Sequence, residues 1–116
     1  MAAQSIVGEK SLAFAKRIAK CYVFLKEKKG ETVMSKQLLR CGTSIGANVR
    51  EGQYAQSKKD FISKMNIALK EATESGYWID LLYDTDYLDE QQYESISGDC
   101  FKIIAVLTKI VKATKC

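Results

Sequence analysis

Apolar residues recur along this chain in alternating steps of three and four, a rhythm that predicts four helices joined by short turns. In the first, over about residues 5–29, Phe14, Ile18, Cys21 and Leu25 form one narrow stripe. Gly30 then supplies the residue that most easily adopts a left-handed stop, and Lys28 and Lys29 suit the negative end of the helix dipole. The second helix, about 32–54, carries Met34, Leu38, Cys41 and Ile45. Asn48 takes the next place on that stripe, at the edge of the core, where an amide must find partners or destabilise the fold.

Ser57 and Asp60 resemble a capping box that opens a third helix over about 57–83. Its stripe is Phe61, Met65, Ala68, Ala72, Ser75 and Ile79, and a second flank holds Ile67, Glu71, Glu74, Trp78 and Leu81. Asp89, with Gln92 three residues on, marks the start of a fourth helix over about 89–115. There Ile96, Cys100, Ile103, Leu107 and Ile110 repeat as in a coiled coil, flanked by Phe101, Ile104 and Val111. The expected architecture is all-α, an up-down-up-down antiparallel four-helix bundle. The extra flanks on the last two helices favour a subunit interface, with Trp78 as a core or interface anchor.

Composition narrows the picture. A chain of 116 residues without proline fits one domain, 1–116, with a single core. No basic n-region precedes a long apolar segment near Met1, and the run Ile103–Leu107 is too short to span a bilayer, so no membrane association and a cytoplasmic location are expected. Cys21, Cys41, Cys100 and Cys116 make no C-x-x-C pair and the chain lacks histidine, and the first three fall on apolar helical faces, where a free thiol reads as a small hydrophobe in a packing position.

The net charge of +4 conceals a strong segregation. Residues 1–60 hold nine Lys and three Arg against five acids, residues 61–99 hold two Lys against nine acids, and four Lys follow. Two readings stand side by side: solvated helix faces, or a basic surface for RNA, DNA or an oppositely charged protein partner. Lys10, Arg17, Lys20 and Lys28 fall within about a quarter of the first helix's circumference, a stripe able to track a phosphate backbone.

Enzyme signatures are missing. Without histidine there is no Ser-His-Asp triad and no Glu-x-x-His metal pair, and no phosphate-binding P-loop occurs. Glu71-x-x-Glu74 is only a loose echo of a carboxylate-metal site, so neither catalysis nor a cofactor is expected.

The most distinctive segment is Arg40 to Gly52. It carries Gly42, Gly46 and Gly52 on a predicted helix, although glycine costs roughly 1 kcal/mol relative to alanine there. Close approach of a neighbouring helix is the expected reason. Arg40, Ser44, Asn48 and Glu51 lie beside the apolar stripe. Arg40 and Glu51 are about 16 Å apart along the axis and cannot pair, so each must look to another helix. Glu71 and Glu74 are the obvious partners for Arg40. The string reads either as a polar seam fixing packing register or oligomeric state, or as a ligand or nucleic-acid contact.

Ser44-Ile45-Gly46-Ala47-Asn48-Val49-Arg50-Glu51-Gly52 resembles the S-I-x-x-N-[IV]-x-E-G signature of the 23S rRNA intervening-sequence protein family. Gln37-Leu38-Leu39-Arg40 resembles its Q-x-x-R lead-in, and Ser57 to Phe61 with Ile67 to Trp78 resemble its third helix. The resemblance implies a four-helix bundle assembled as a homopentameric ring. It further implies kinship with the accessory variability determinant proteins of diversity-generating retroelements, basic pentamers that partner a reverse transcriptase and nucleic acid.

Overall fold

The computed structural model describes the backbone of residues 2–114 and the side chains of residues 6–114. These hold four helices and no strand: α1 (Ala2–Lys29), α2 (Val33–Gln53), α3 (Lys58–Asp84) and α4 (Glu90–Thr114). The first helix begins a little before the expected start at Ser5. The continuation of the last helix to Lys115, and Cys116, lie outside the described residues.

The predicted stripes become the core. Phe14, Ile18, Leu25, Leu38, Ile45, Met65, Ile79, Ile103 and Leu107 are all buried, together with Val7, Val49 and Leu82. The helices pack as a closed square, α1 on α2, α2 on α3, α3 on α4 and α4 on α1, with no diagonal pairing. Every pair is antiparallel. Gly42 lies against Ile18 while Gly46, one turn later, lies against the earlier Ser11. Likewise Arg40 meets Glu74, whereas Glu51 meets Lys64, and Arg17 of α1 meets Asp99 of α4. The fourth helix's second flank divides: Val111 joins the core, Ile104 is half-buried, and Phe101 stands out in solvent.

The helix ends follow the sequence signals, with one addition. Gly30 has a φ of +65°, the left-handed stop expected of it. At α3 the Ser57 hydroxyl accepts from the Asp60 N–H at 3.0 Å, and the Asp60 carboxylate accepts from the Gln56 N–H rather than from that of Ser57. At α4 the box is fully reciprocal, Gln92 N–H to Asp89 Oδ1 at 2.7 Å and Asp89 N–H to Gln92 Oε1 at 2.9 Å. At α2, however, Thr32 makes no side-chain cap. Glu31 does the work: its carboxylate accepts from the N–H groups of Val33, Met34 and Ser35, each at 2.9 Å.

Glu31 is buried, with 7 % of its surface exposed. Burial pushes its carboxyl up, but the N–H donors of Met34, Ser35 and Val33 outweigh that and hold it below the ordinary carboxylate range. A carboxyl depressed in the fold stabilises it above the unfolded value, near pH 4.3, and loses that contribution as pH falls through the folded value. Glu31→Ala is therefore expected to cost about 1–2 kcal/mol at neutral pH. In urea melts at descending pH, the gap between the variant and the unsubstituted protein should narrow below about pH 4.

Candidate functional surfaces

The polar string on α2 lies on the outside of the bundle, along the groove between α2 and α3. Arg40 reaches Glu71 at 3.5 Å and makes a closer ion pair with Glu74. Glu74 Oε2 also accepts from Trp78 Nε1 at 2.9 Å, so one carboxylate ties the guanidinium to the indole. Gln37 completes the lead-in by accepting from Arg40 Nε at 3.4 Å. Glu51 finds Lys64 at 3.1 Å, a partner the sequence did not single out. Asn48 donates to the Ser44 carbonyl at 2.9 Å and hydroxyl at 3.1 Å, satisfying itself within its own helix. The predicted residues Arg40, Ser44, Asn48, Glu51, Glu71, Glu74 and Trp78 thus share one groove. Tyr77 extends it, its ring edge-on to Trp78 at 5.0 Å.

The glycines on α2 face the neighbouring helices of the same chain. A methyl group on Gly42 would sit 3.0 Å from both branches of Ile18. At Gly52 it would collide with the end of Met65 and come within 3.3 Å of Lys64 Cβ. At Gly46 it would lie 3.5 Å from the Ser11 carbonyl, an ordinary contact. Gly42 and Gly52 are therefore places where α1 and α3 press close, and Gly46 is not.

The basic stripe lies on the opposite side of the square, along α1 and α4. Lys10 lines a small cleft with Asp99 and Lys102, the latter a cation contributed by α4. Arg17 is held in place: its guanidinium donates to Asp99 Oδ2 at 2.6 Å, to the Ser95 carbonyl at 3.3 Å and to the Ser95 hydroxyl at 3.0 Å. Its charge is largely matched, and it serves the joint between α1 and α4. Lys20 and Lys28 are exposed further along α1, on an open face they share with Glu27.

The model of the 23S rRNA-intervening sequence protein family matches residues 3–109, nearly the whole bundle. The chain belongs to this family. A crystal structure of a protein with unknown function from the S23 ribosomal protein family of Bacteroides thetaiotaomicron VPI-5482 superposes with a TM-score of 0.93. It shares 54 % identity, over 95 % of this chain and 98 % of that one. No curated protein matches the sequence.

In this member of the family the signature segment has a physical meaning at several positions. Ile45 fills the core, Ser44 and Asn48 satisfy one another at the groove, Glu51 reaches α3, and Gly52 lets α3 approach. The cysteines divide in the same spirit. Cys41 and Cys100 are buried, the first accepting from the Ser75 hydroxyl at 3.3 Å and the second donating to the Ala72 carbonyl at 3.3 Å. Burial pushes the Cys100 thiol up to about 12, with Cys41 adding to the shift. Cys21, half-buried, instead lines an open cleft beside Arg17. Its position could be read from its place at the basic edge of the α1 stripe.

Proposed function

We propose that this protein is a non-catalytic, self-assembling scaffold that binds RNA or DNA, associating through the α2–α3 groove and carrying phosphate backbones on the α1–α4 face. The carrying observation is that the ordered polar seam and the basic stripe occupy opposite sides of the square bundle. Assembly through one leaves the other open.

The energetics support the split. Exposed ion pairs contribute about 0–1 kcal/mol each, so a seam in which Arg40 is 52 % exposed does little for one chain. Ordering Arg40, Glu71, Glu74 and Trp78 beside exposed Ile67 and Tyr77 makes sense as a surface prepared to be covered. The homopentameric ring that the family resemblance implies closes by head-to-tail contacts, so the seam of one copy would meet a different patch of the next. Repetition around a ring multiplies a weak attraction for phosphates.

Charge reversal tests the nucleic-acid face. Lys10→Glu, Lys20→Glu and Lys28→Glu together should weaken binding of an RNA oligonucleotide at low salt and reduce the log–log salt slope by about 2–3. An unchanged slope rejects the basic face. Arg17 is left in place in this variant because its loss would unpin α4 through Asp99.

A second reading, a protein-binding accessory subunit, is favoured by Phe101. This residue is 72 % exposed, a large apolar side chain that the fold leaves uncovered. A reverse transcriptase that co-purifies with the protein, and no longer does so with Phe101→Ser, would support that reading.

A further inference from the structure

The α1–α4 face is more than a row of cations. Between Arg17 and Lys28 the surface sinks into a cleft of about 360 Å³, within the range of about 300–1,000 Å³ typical of small-ligand sites. Its floor is apolar, formed by Cys21 and Phe24 of α1, Leu88 of the turn before α4, and Ile96 of α4, while Arg17 and Lys20 stand at the rim. The open face of α1 beside it shares Lys20 and Phe24 and runs on past Val23 and Glu27 to Lys28. Phe24 is therefore common to both, an aromatic ring with the free cations Lys20 and Lys28 on either side and Glu27 as the acid beside them.

Phosphate contacts alone need only a flat basic surface, and a duplex laid across these lysines would bridge the cleft and leave its floor empty. A single strand can turn a base inward. Stacking on an aromatic side chain beneath a cationic rim is how sequence-tolerant single-strand binding is built, each stacked base being worth about 1–3 kcal/mol. We infer that the Phe24 cleft receives an unpaired nucleobase, so that the nucleic acid taken by this face is single-stranded. The inference rests on the proposed nucleic-acid role of the α1–α4 face and narrows it to one substrate class.

The rim supports the assignment. Arg17 is fixed by Asp99 and Ser95, so it shapes one wall of the cleft rather than swinging across it. Lys20 and Lys28, two turns apart, are about 12 Å from one another along the axis and can take phosphates on either side of the buried base. Cys21, in the floor, provides a reporter, read on its own peptide by mass spectrometry and so apart from Cys41, Cys100 and Cys116.

The experiment uses the full chain with a short oligoadenylate RNA, free or annealed to its complement, and Phe24→Leu, which keeps apolar volume and removes the ring. The free strand should bind about tenfold more tightly than the duplex, and Phe24→Leu should lose that preference while binding the duplex unchanged. In the unsubstituted protein the free strand, and not the duplex, should slow alkylation of Cys21, a readout that needs no variant. Equal binding of strand and duplex with Cys21 unprotected overturns the cleft assignment, and the basic face survives if Lys20→Glu with Lys28→Glu weakens both. Failure to bind either oligonucleotide overturns the nucleic-acid role itself.

Discussion

Gly42→Ala is expected to destabilise the protein by about 1–3 kcal/mol, whereas Gly46→Ala, one turn along the same helix, is expected to be neutral or stabilising by up to about 1 kcal/mol. Both substitutions raise helix propensity, so the opposite signs come from what the new methyl group meets. At Gly42 it meets both branches of Ile18 at 3.0 Å. Ile18 is β-branched, stiff at χ1 on a helix, and 1 % exposed, so it has no empty rotamer to take. Relief must come from moving α1 away from α2, which loosens Phe14 and Ile45 as well. At Gly46 the nearest atoms are 3.5 Å away, and the methyl fills space instead of displacing anything. Thermal and urea melts of the two variants decide the matter. A Gly42→Ala protein as stable as Gly46→Ala would show that α1 and α2 do not press together at Ile18.

That contrast also shows where sequence reasoning stops. The stripes through Phe14, Leu38, Met65 and Leu107 revealed four helices because apolar periodicity is a property of one segment at a time. Gly30, Ser57 and Asp89 were legible as helix ends for the same local reason. Arg40 with Glu71 and Glu74 was within reach because antiparallel neighbours and opposite charges leave few choices. Which glycine is tight was not legible, since it depends on the rotamer of Ile18 and the approach of another helix. Glu31 was not legible as a cap, because only the backbone path after Gly30 brings its long carboxylate under three N–H groups. The matching of Arg17 by Asp99 joins positions 82 apart, so a stripe of four equivalent cations on α1 became two exposed lysines, a lysine facing Asp99 across a cleft, and a structural arginine. The cleft at Phe24 likewise exists only once Leu88 and Ile96 lie beside α1.

Arg40→Leu should separate assembly from folding. In one chain the substitution removes exposed ion pairs, and water can solvate Glu71 and Glu74, so stability should change by no more than about 1 kcal/mol and helicity should be retained. In the proposed assembly the same groove would be covered. Two carboxylates one helical turn apart would then be desolvated without their cation, a situation that costs about 3–5 kcal/mol per interface. Trp78 would still donate to Glu74, but a neutral indole N–H cannot replace the lost positive charge. Association should therefore weaken by roughly a hundredfold to several thousandfold. Light scattering across a dilution series should show the variant falling to the mass of one 13.0 kDa chain where the unsubstituted protein remains assembled. A variant that retains the full mass would place the seam away from the interface, and an unsubstituted protein that is already a single chain at micromolar concentration would remove the assembly altogether. Glu71→Leu added to Arg40→Leu provides the converse: by deleting one of the stranded carboxylates it should recover part of the lost association, because the penalty lies in buried unpaired charge and not in the missing ion pair.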